Sequence, residues 1–315
     1  MTVKKVFGGA SIGDWGFSEK DDVDQLFAFL KNAGVKEVDT AIIYPKSEEK
    51  IGRSITGYED LLISTKLPGG FQPGTLTKDN ILKAAQNSLD SARVKQFDVL
   101  YIHAPDPSAD LNEALDAINE LYKKGIFVRF GLSNFTAEQV QEVYDIAKSK
   151  GYVLPTVYQG NYNPIARKLE TLLFPTLRKL GIAFYAYSPL AGGFLAKTKE
   201  QIEAGEGRFN ENALGGMYLK LYKRPAYLEA LSEWNNIAEA EGVSKAELAY
   251  RWVAYHGALK EELGDAVIFA GRNFEQVEQT AKYLDNGPLS KESAQRIEEI
   301  WAKVEPEAVI DNYHG

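Results

Sequence analysis

Eight short runs rich in Val, Ile, Tyr and Phe recur along the chain: VFGGASI, VKEVD, LLISTK, DVLYIH, VRFGLS, TVYQGN, IAFYAYS and AVIFAG. Segments of helical period lie between them. Strand-then-helix alternation repeated eight times calls for parallel strands joined by helical crossovers. The runs are mostly apolar rather than alternating, as expected of strands covered on both faces. Between the first two, DDVDQLFAFLKNAG sets Val23, Leu26, Phe27 and Leu30 on one helical face and stops at Gly34. DLNEALDAINELYKKG opens with an acidic cap at Asp110, and TAEQVQEVYDIAKSKG spaces Thr136 and Gln139 as a capping box. Two closures are open to such a chain, an eight-stranded barrel or a doubly wound open sheet. No Pro/Ser-rich linker divides the sequence. The simpler reading is an α/β fold, one (β/α)8 TIM-barrel domain over residues 1–315, with C-terminal helices.

One segment breaks the rhythm. Residues 191–225 are too many for a βα loop, which commonly has about 2–6 residues. Their glycines and aromatics predict a structured flap after strand 7, with Phe209, Met217, Tyr218 and Tyr222 available to cover an apolar ligand. The bland alternative is a surface insertion.

Composition removes several function classes. Formal net charge is −8 and the basic residues are interleaved with acids, so neither nucleic acid nor an anionic membrane is an expected partner. There is no cysteine, which excludes disulfides, thiolate nucleophiles and cysteine–zinc sites, and three scattered histidines make a histidine-rich metal site a poor expectation. The opening MTVKKVFGGASIGDW has no apolar h-region, and no run approaches 18 apolar residues. A soluble, cytoplasmic protein is the expectation. GGASIG at 8–13 carries Ala10 where a dinucleotide fingerprint needs glycine, and no GxSxG elbow surrounds Ser133.

The ends of the runs carry the chemistry. The second ends at Asp39, the third at Lys66 and the fourth at His103. The fifth runs into Ser133 and Asn134, the sixth contains Gln159, and the seventh reaches Tyr187 and Ser188. In a barrel these ends share one rim, where active sites of this architecture sit. Taken singly, a histidine in YIHAP is an ordinary core residue and Lys66 a solvated charge. Together with Tyr44, five residues beyond Asp39, they form a coherent set. A phenol is a weak acid near neutral pH, and an adjacent ammonium is expected to lower its pKa. A buried lysine in turn needs a carboxylate, a role for Asp39. Histidine offers a second hydrogen bond to a polarised carbonyl. The set suits proton donation to an oxyanion during carbonyl reduction. No side chain donates hydride, so a nicotinamide or flavin is required.

VDTAIIY, LLISTK and DVLYIH resemble the segments that carry the Asp–Tyr–Lys–His tetrad of the aldo-keto reductases. GLSNF, VYQGNYN and FYAYSPLAGG are similar to that family's nicotinamide-side segments, and the resemblance runs from about Gly8 to Leu284. Through KLPGG, LPTVYQGNYN and ETLLFP it points to the aflatoxin-aldehyde reductase branch. The resemblance implies a (β/α)8 barrel that binds NADPH without a Rossmann fold. It implies Tyr44 as proton donor, Asp39 and Lys66 as tuning residues, and His103 as the group that orients the substrate carbonyl. Ser133, Asn134 and Gln159 would bind the carboxamide and Tyr187 would stack on the nicotinamide. Ser188, Leu190 and Gly192 would complete that side.

AGRNFEQVEQT, residues 270–280, corresponds to the loop and helix start that hold the adenosine phosphate, through Arg272, Gln276 and Gln279. Gln276 stands where many relatives carry arginine, which loosens the expected preference for NADPH over NADH. Leu221 stands where some members of the branch have an arginine for a substrate carboxylate. With Trp15, Met217, Tyr218 and Leu221 as the substrate-side residues, an uncharged aromatic or aliphatic aldehyde or ketone is the expected substrate. Two alternatives accompany the reductase reading: a cofactor-binding regulatory subunit of the same fold, and an alcohol or polyol dehydrogenase running the reverse reaction. A homodimer is a further option that the resemblance leaves open.

Overall fold

The computed structural model describes residues 3–314. Its strands fall on the eight apolar runs: β1 Lys4–Gly8, β2 Glu37–Asp39, β3 Leu62–Leu67, β4 Phe97–Ile102, β5 Phe127–Ser133, β6 Pro155–Asn161, β7 Ala183–Tyr187 and β8 Ala266–Phe269. Each is parallel to its neighbours in sequence, and β1 also pairs with β8, so the sheet closes. Of the two closures the sequence leaves open, the barrel is the one formed.

Alternate strand positions divide the apolar residues between two layers. Val99 and Tyr101 on β4, and Ala266 and Ile268 on β8, point inward with Val6, Val157 and Tyr185. The larger cluster packs the outer strand faces against the helices, Val23, Leu26, Phe27 and Leu30 among them. Helix ends follow the expected chemistry. Asp110 accepts from the backbone N–H groups of Asn112 and Glu113, and Thr136 and Gln139 form the capping box. The helix Lys20–Asn32 stops where Gly34 takes φ +71°, and the Val35 N–H returns to the Leu30 carbonyl.

The N-terminal end of the barrel is closed by charge. Glu37 accepts from Lys4 at 2.8 Å, Tyr185 at 3.0 Å and Arg129 at 3.4 Å, and Arg129 also grips Asp98. A stabilising role fits this end, because barrel chemistry gathers at the opposite rim. At the C-terminus, the helix Lys291–Val304 packs on Pro225–Glu241. No helix among the described residues is long and apolar enough to cross a membrane.

The segment after β7 is structured, as expected, in short pieces: Ala191–Ala196, Lys199–Glu203, Gly207–Phe209, Ala213–Gly216 and Met217–Tyr222. Its aromatic residues differ from the expectation. Phe209 and Tyr222 are fully buried against Phe194, which also meets Tyr227. They form the flap's own small core rather than a surface offered to a ligand. A segment this long needs an apolar centre to hold its shape, and these rings provide it.

Candidate active site

The site is built from the ends of β2, β3 and β4. Asp39 ends β2, opposite Ser64, and Lys66 lies near the end of β3, opposite Tyr101. Lys66 is wholly buried; its Nζ donates to Asp39 Oδ2 at 2.5 Å and to the Thr40 carbonyl at 2.7 Å. The other carboxylate oxygen, Oδ1, accepts from Gln159 Nε2 at 3.0 Å. Tyr44 follows on a turn anchored through Ser47. Thr40 donates to Ser47 Oγ at 2.7 Å, and Ser47 donates to the Gly9 carbonyl at 2.8 Å. A side chain at Gly9 would place its Cβ 2.9 Å from the Asp39 carbonyl, so glycine is needed for β1 and β2 to end side by side.

The turn brings the Tyr44 ring over Lys66, with Nζ 5.2 Å from the ring centre. His103, just past β4, meets Tyr44 edge-on at 5.9 Å. All four residues expected at the catalytic centre are thus together. Trp15 lies on the open side, 6.5 Å from the Tyr44 ring and substantially exposed.

Burial sets the ionisation of the group. It pushes the Asp39 carboxyl up and the Lys66 ammonium down, and each partner's charge opposes the shift. His103 is held well below the usual histidine range, by burial first and then by the Lys66 charge, so the ring is neutral. The Tyr44 phenol goes against the sequence expectation. Lys66 was expected to lower its pKa, yet burial raises it and the Asp39 charge raises it further, while Arg208 opposes. Withdrawing water from the phenolate is the largest cause, and the Lys66 ammonium, bonded to Asp39, does not offset it.

The residues expected on the nicotinamide side are also brought together, but several are already engaged. Tyr187 donates to Asn134 Oδ1 at 2.7 Å; Asn134 Nδ2 donates to the His103 carbonyl at 2.8 Å and to Ser133 Oγ at 3.2 Å. Ser188, Ala191, Gly192 and Gly193 all take positive φ. The Leu190 carbonyl accepts from the N–H groups of Gly193 and Leu195, tightening the turn. A Cβ on Gly192 would lie 2.0 Å from the Tyr218 ring.

Arg272, Gln276 and Gln279 sit on the surface around the start of the helix Phe274–Tyr283. Gln276 accepts from the Arg272 N–H at 2.9 Å, and Gln279 bonds Glu275 at 3.2 Å. Met217 is half-buried, whereas Tyr218 and Leu221 are buried in the flap.

Three residues escaped the sequence reading. Arg208 lies 5.4 Å from the Tyr218 ring centre and its charge reaches Tyr44, with no ion-pair partner among the described residues. Phe71 meets His103 edge-on at 4.9 Å, and Tyr313 meets Phe71 at 5.3 Å. Arg208 lies in a segment whose aromatics draw the attention, Phe71 follows the end of β3 but carries no polar group to mark it, and Tyr313 lies far beyond the last strand.

The model of the aldo/keto reductase family matches residues 6–302. Among curated proteins, the chain is 36% identical to "Oxidoreductase sirO" of Leptosphaeria maculans, over 96% of this chain and 95% of that one. It is 35% identical to human "Aldo-keto reductase family 7 member A3", over 87% and 86% of the two chains. With "Aflatoxin B1 aldehyde reductase member 2" of Rattus norvegicus the identity is 34%, over 87% and 78%. A closed eight-stranded barrel, chemistry gathered where its strands end, and a match along almost all of its length lead to one conclusion: this chain belongs to the aldo/keto reductase family.

Proposed function

We propose that the chain is an NADPH-dependent reductase of aldehydes or ketones, with Tyr44 as proton donor. The observation that carries the reading is the buried Lys66–Asp39 pair beneath the Tyr44 ring, with a neutral His103 beside it.

The residues present fit a nicotinamide dinucleotide. His103 Nδ1 is buried without a hydrogen-bond partner, an orphan that suits a polar ligand. Tyr187 presents a half-buried ring beside Asn134 and Ser133. Lys197 and Arg272 flank Gly207, 4.0 Å and 3.8 Å from where a Cβ would stand there, and Arg208 is the next residue. Arginines and a lysine around one backbone turn suit phosphates, and the helix start after Asn273 adds its dipole. When bound, the cofactor supplies hydride.

The protein's own part is to hold the carbonyl and give the proton. A phenol kept protonated by burial is a reserve acid. As negative charge gathers on the substrate oxygen, that oxygen becomes the stronger base and takes the Tyr44 proton. Lys66 is then placed to offset the phenolate left behind. Neutral His103 donates to the same oxygen without adding charge. Asp39, Gln159 and the Thr40 carbonyl keep Lys66 in place. The same arrangement serves the reverse oxidation of an alcohol.

Trp15, Tyr44, His103, Phe71 and Tyr313 follow one another as neighbouring rings, which favours a planar, uncharged aldehyde or ketone. The names of the aflatoxin B1 aldehyde reductases point to the same class. The test is consumption of NADPH and of NADH, in parallel, with an aromatic aldehyde. Turnover with NADPH supports the reading. NADPH binding without turnover across an aldehyde panel would favour a regulatory subunit instead.

A further inference from the structure

Residues 307–314 are held through a series of buried and part-buried contacts. Arg224 donates to the Glu307 carbonyl at 2.5 Å. The Val309 N–H donates to Tyr227 Oη at 3.1 Å, and Tyr227 donates to the Ile165 carbonyl at 2.8 Å. Asp311 is 2% exposed; it accepts from the N–H groups of Tyr313 and His314 and lies 2.8 Å from His314 Nδ1. Tyr313 lies over Gly70, where a Cβ would come within 2.3 Å of its hydroxyl oxygen.

Between these anchors, the Asn312 N–H donates to Tyr187 Oη at 3.1 Å. That hydroxyl also donates to Asn134 Oδ1, and Asn134 is held by its own bonds to the end of β4 and to Ser133. A tyrosine hydroxyl with one partner still lets its ring tilt, whereas one that both donates and accepts has its direction defined.

We propose that the C-terminal tail is a positioning element for the cofactor: Asn312, through its backbone N–H, fixes the Tyr187 ring in the plane that receives the nicotinamide. This rests on the reading of Tyr187 as the nicotinamide platform. Sequence could not show it, because the tail lies outside the strand–helix alternation and acts through a backbone group. The coupling must also run in reverse. If an ordered tail favours cofactor binding, bound cofactor orders the tail by the same free energy.

The experiment is amide hydrogen exchange of the tail, read by mass spectrometry on the intact chain with and without saturating NADP+. In the wild type, NADP+ slows tail exchange by roughly 3- to 10-fold, the scale of one hydrogen bond. Tyr187→Phe, which removes the acceptor, speeds exchange without cofactor and abolishes the NADP+ effect. As a second measurement, Asn312→Pro weakens NADP+ binding by a similar factor, read by tryptophan fluorescence. Tyr187→Phe combined with Asn312→Pro loses no more than the worse single variant. Wild-type chain that binds NADP+ with unchanged tail exchange overturns the proposal, as do losses that multiply in the double variant. Tyr187→Phe alone suffices for the exchange measurement should Asn312→Pro fail to fold. Wild-type chain that does not bind NADP+ sinks the cofactor reading itself, and this proposal with it.

Discussion

Lys66 Nζ and Asp39 Oδ2 stand 2.5 Å apart, with 0% and 5% of their side chains exposed. Each holds the other in a place where neither could remain charged alone. Asp39→Ala leaves the ammonium without its carboxylate and should lower stability by about 3–5 kcal/mol. Combining Asp39→Leu with Lys66→Met should restore much of that loss while leaving no reductase activity. Urea unfolding of the wild type and these two variants checks this. An unchanged midpoint for Asp39→Ala would mean that the pair contributes no electrostatic interaction.

Tyr44→Phe keeps the ring that packs between Trp15 and His103 and removes only the proton. Aldehyde reduction should fall at least about 100-fold, the lower range for general-acid catalysis. NADPH affinity, read by fluorescence, should stay within a few-fold. Retained turnover would remove Tyr44 from the donor role.

Arg272 is exposed beside the start of the helix Phe274–Tyr283, with its guanidinium unpaired among the described residues. Arg272→Ala should weaken NADPH by roughly 10-fold or more, the scale of a charge-assisted hydrogen bond to phosphate, and NADH much less. Equal losses for the two cofactors would deny Arg272 a part in the extra phosphate.

His103 is neutral because burial and Lys66 depress its pKa well below the ordinary value of about 6.5. The unfolded chain therefore binds a proton that the folded chain refuses once pH falls below about 6.5. Stability attributable to this group is present above that value and declines as pH falls toward the folded-state pKa. The limiting slope is about 1.4 kcal/mol per pH unit. His256, also depressed by burial and Arg251, adds a slope of the same sign. The decisive quantity is thus the difference between wild type and His103→Gln, whose urea midpoint should fall less between about pH 7 and about pH 5.5. Parallel pH profiles would contradict a neutral buried His103.

Much of the site could be read because β-strand chemistry is local. Asp39, Lys66 and His103 each close or follow an apolar run, and a closed parallel barrel must gather such ends at one rim. What the sequence misjudged was balance among non-local terms. The rise in Tyr44's pKa depends on its burial in the folded barrel and on the Asp39 charge brought beside it. Asn134 and Gln159 bear amides suited to a carboxamide, but tertiary contacts first tie them to His103, Tyr187 and Asp39.

The sequence by itself determined the eight strands, the helices capped by Asp110 and Thr136, and the chemical identity of the residues at the rim. Those follow from periodicity and from the backbone preferences of neighbours a few residues apart. Only the tertiary structure decided that the sheet closes and that Phe209 and Tyr222 form the flap's interior. It also brought Arg208 within electrostatic reach of Tyr44 and seated the tail on Tyr187 through Asn312. These pairings join residues tens to more than a hundred positions apart, and they exist only after the barrel has placed their elements side by side.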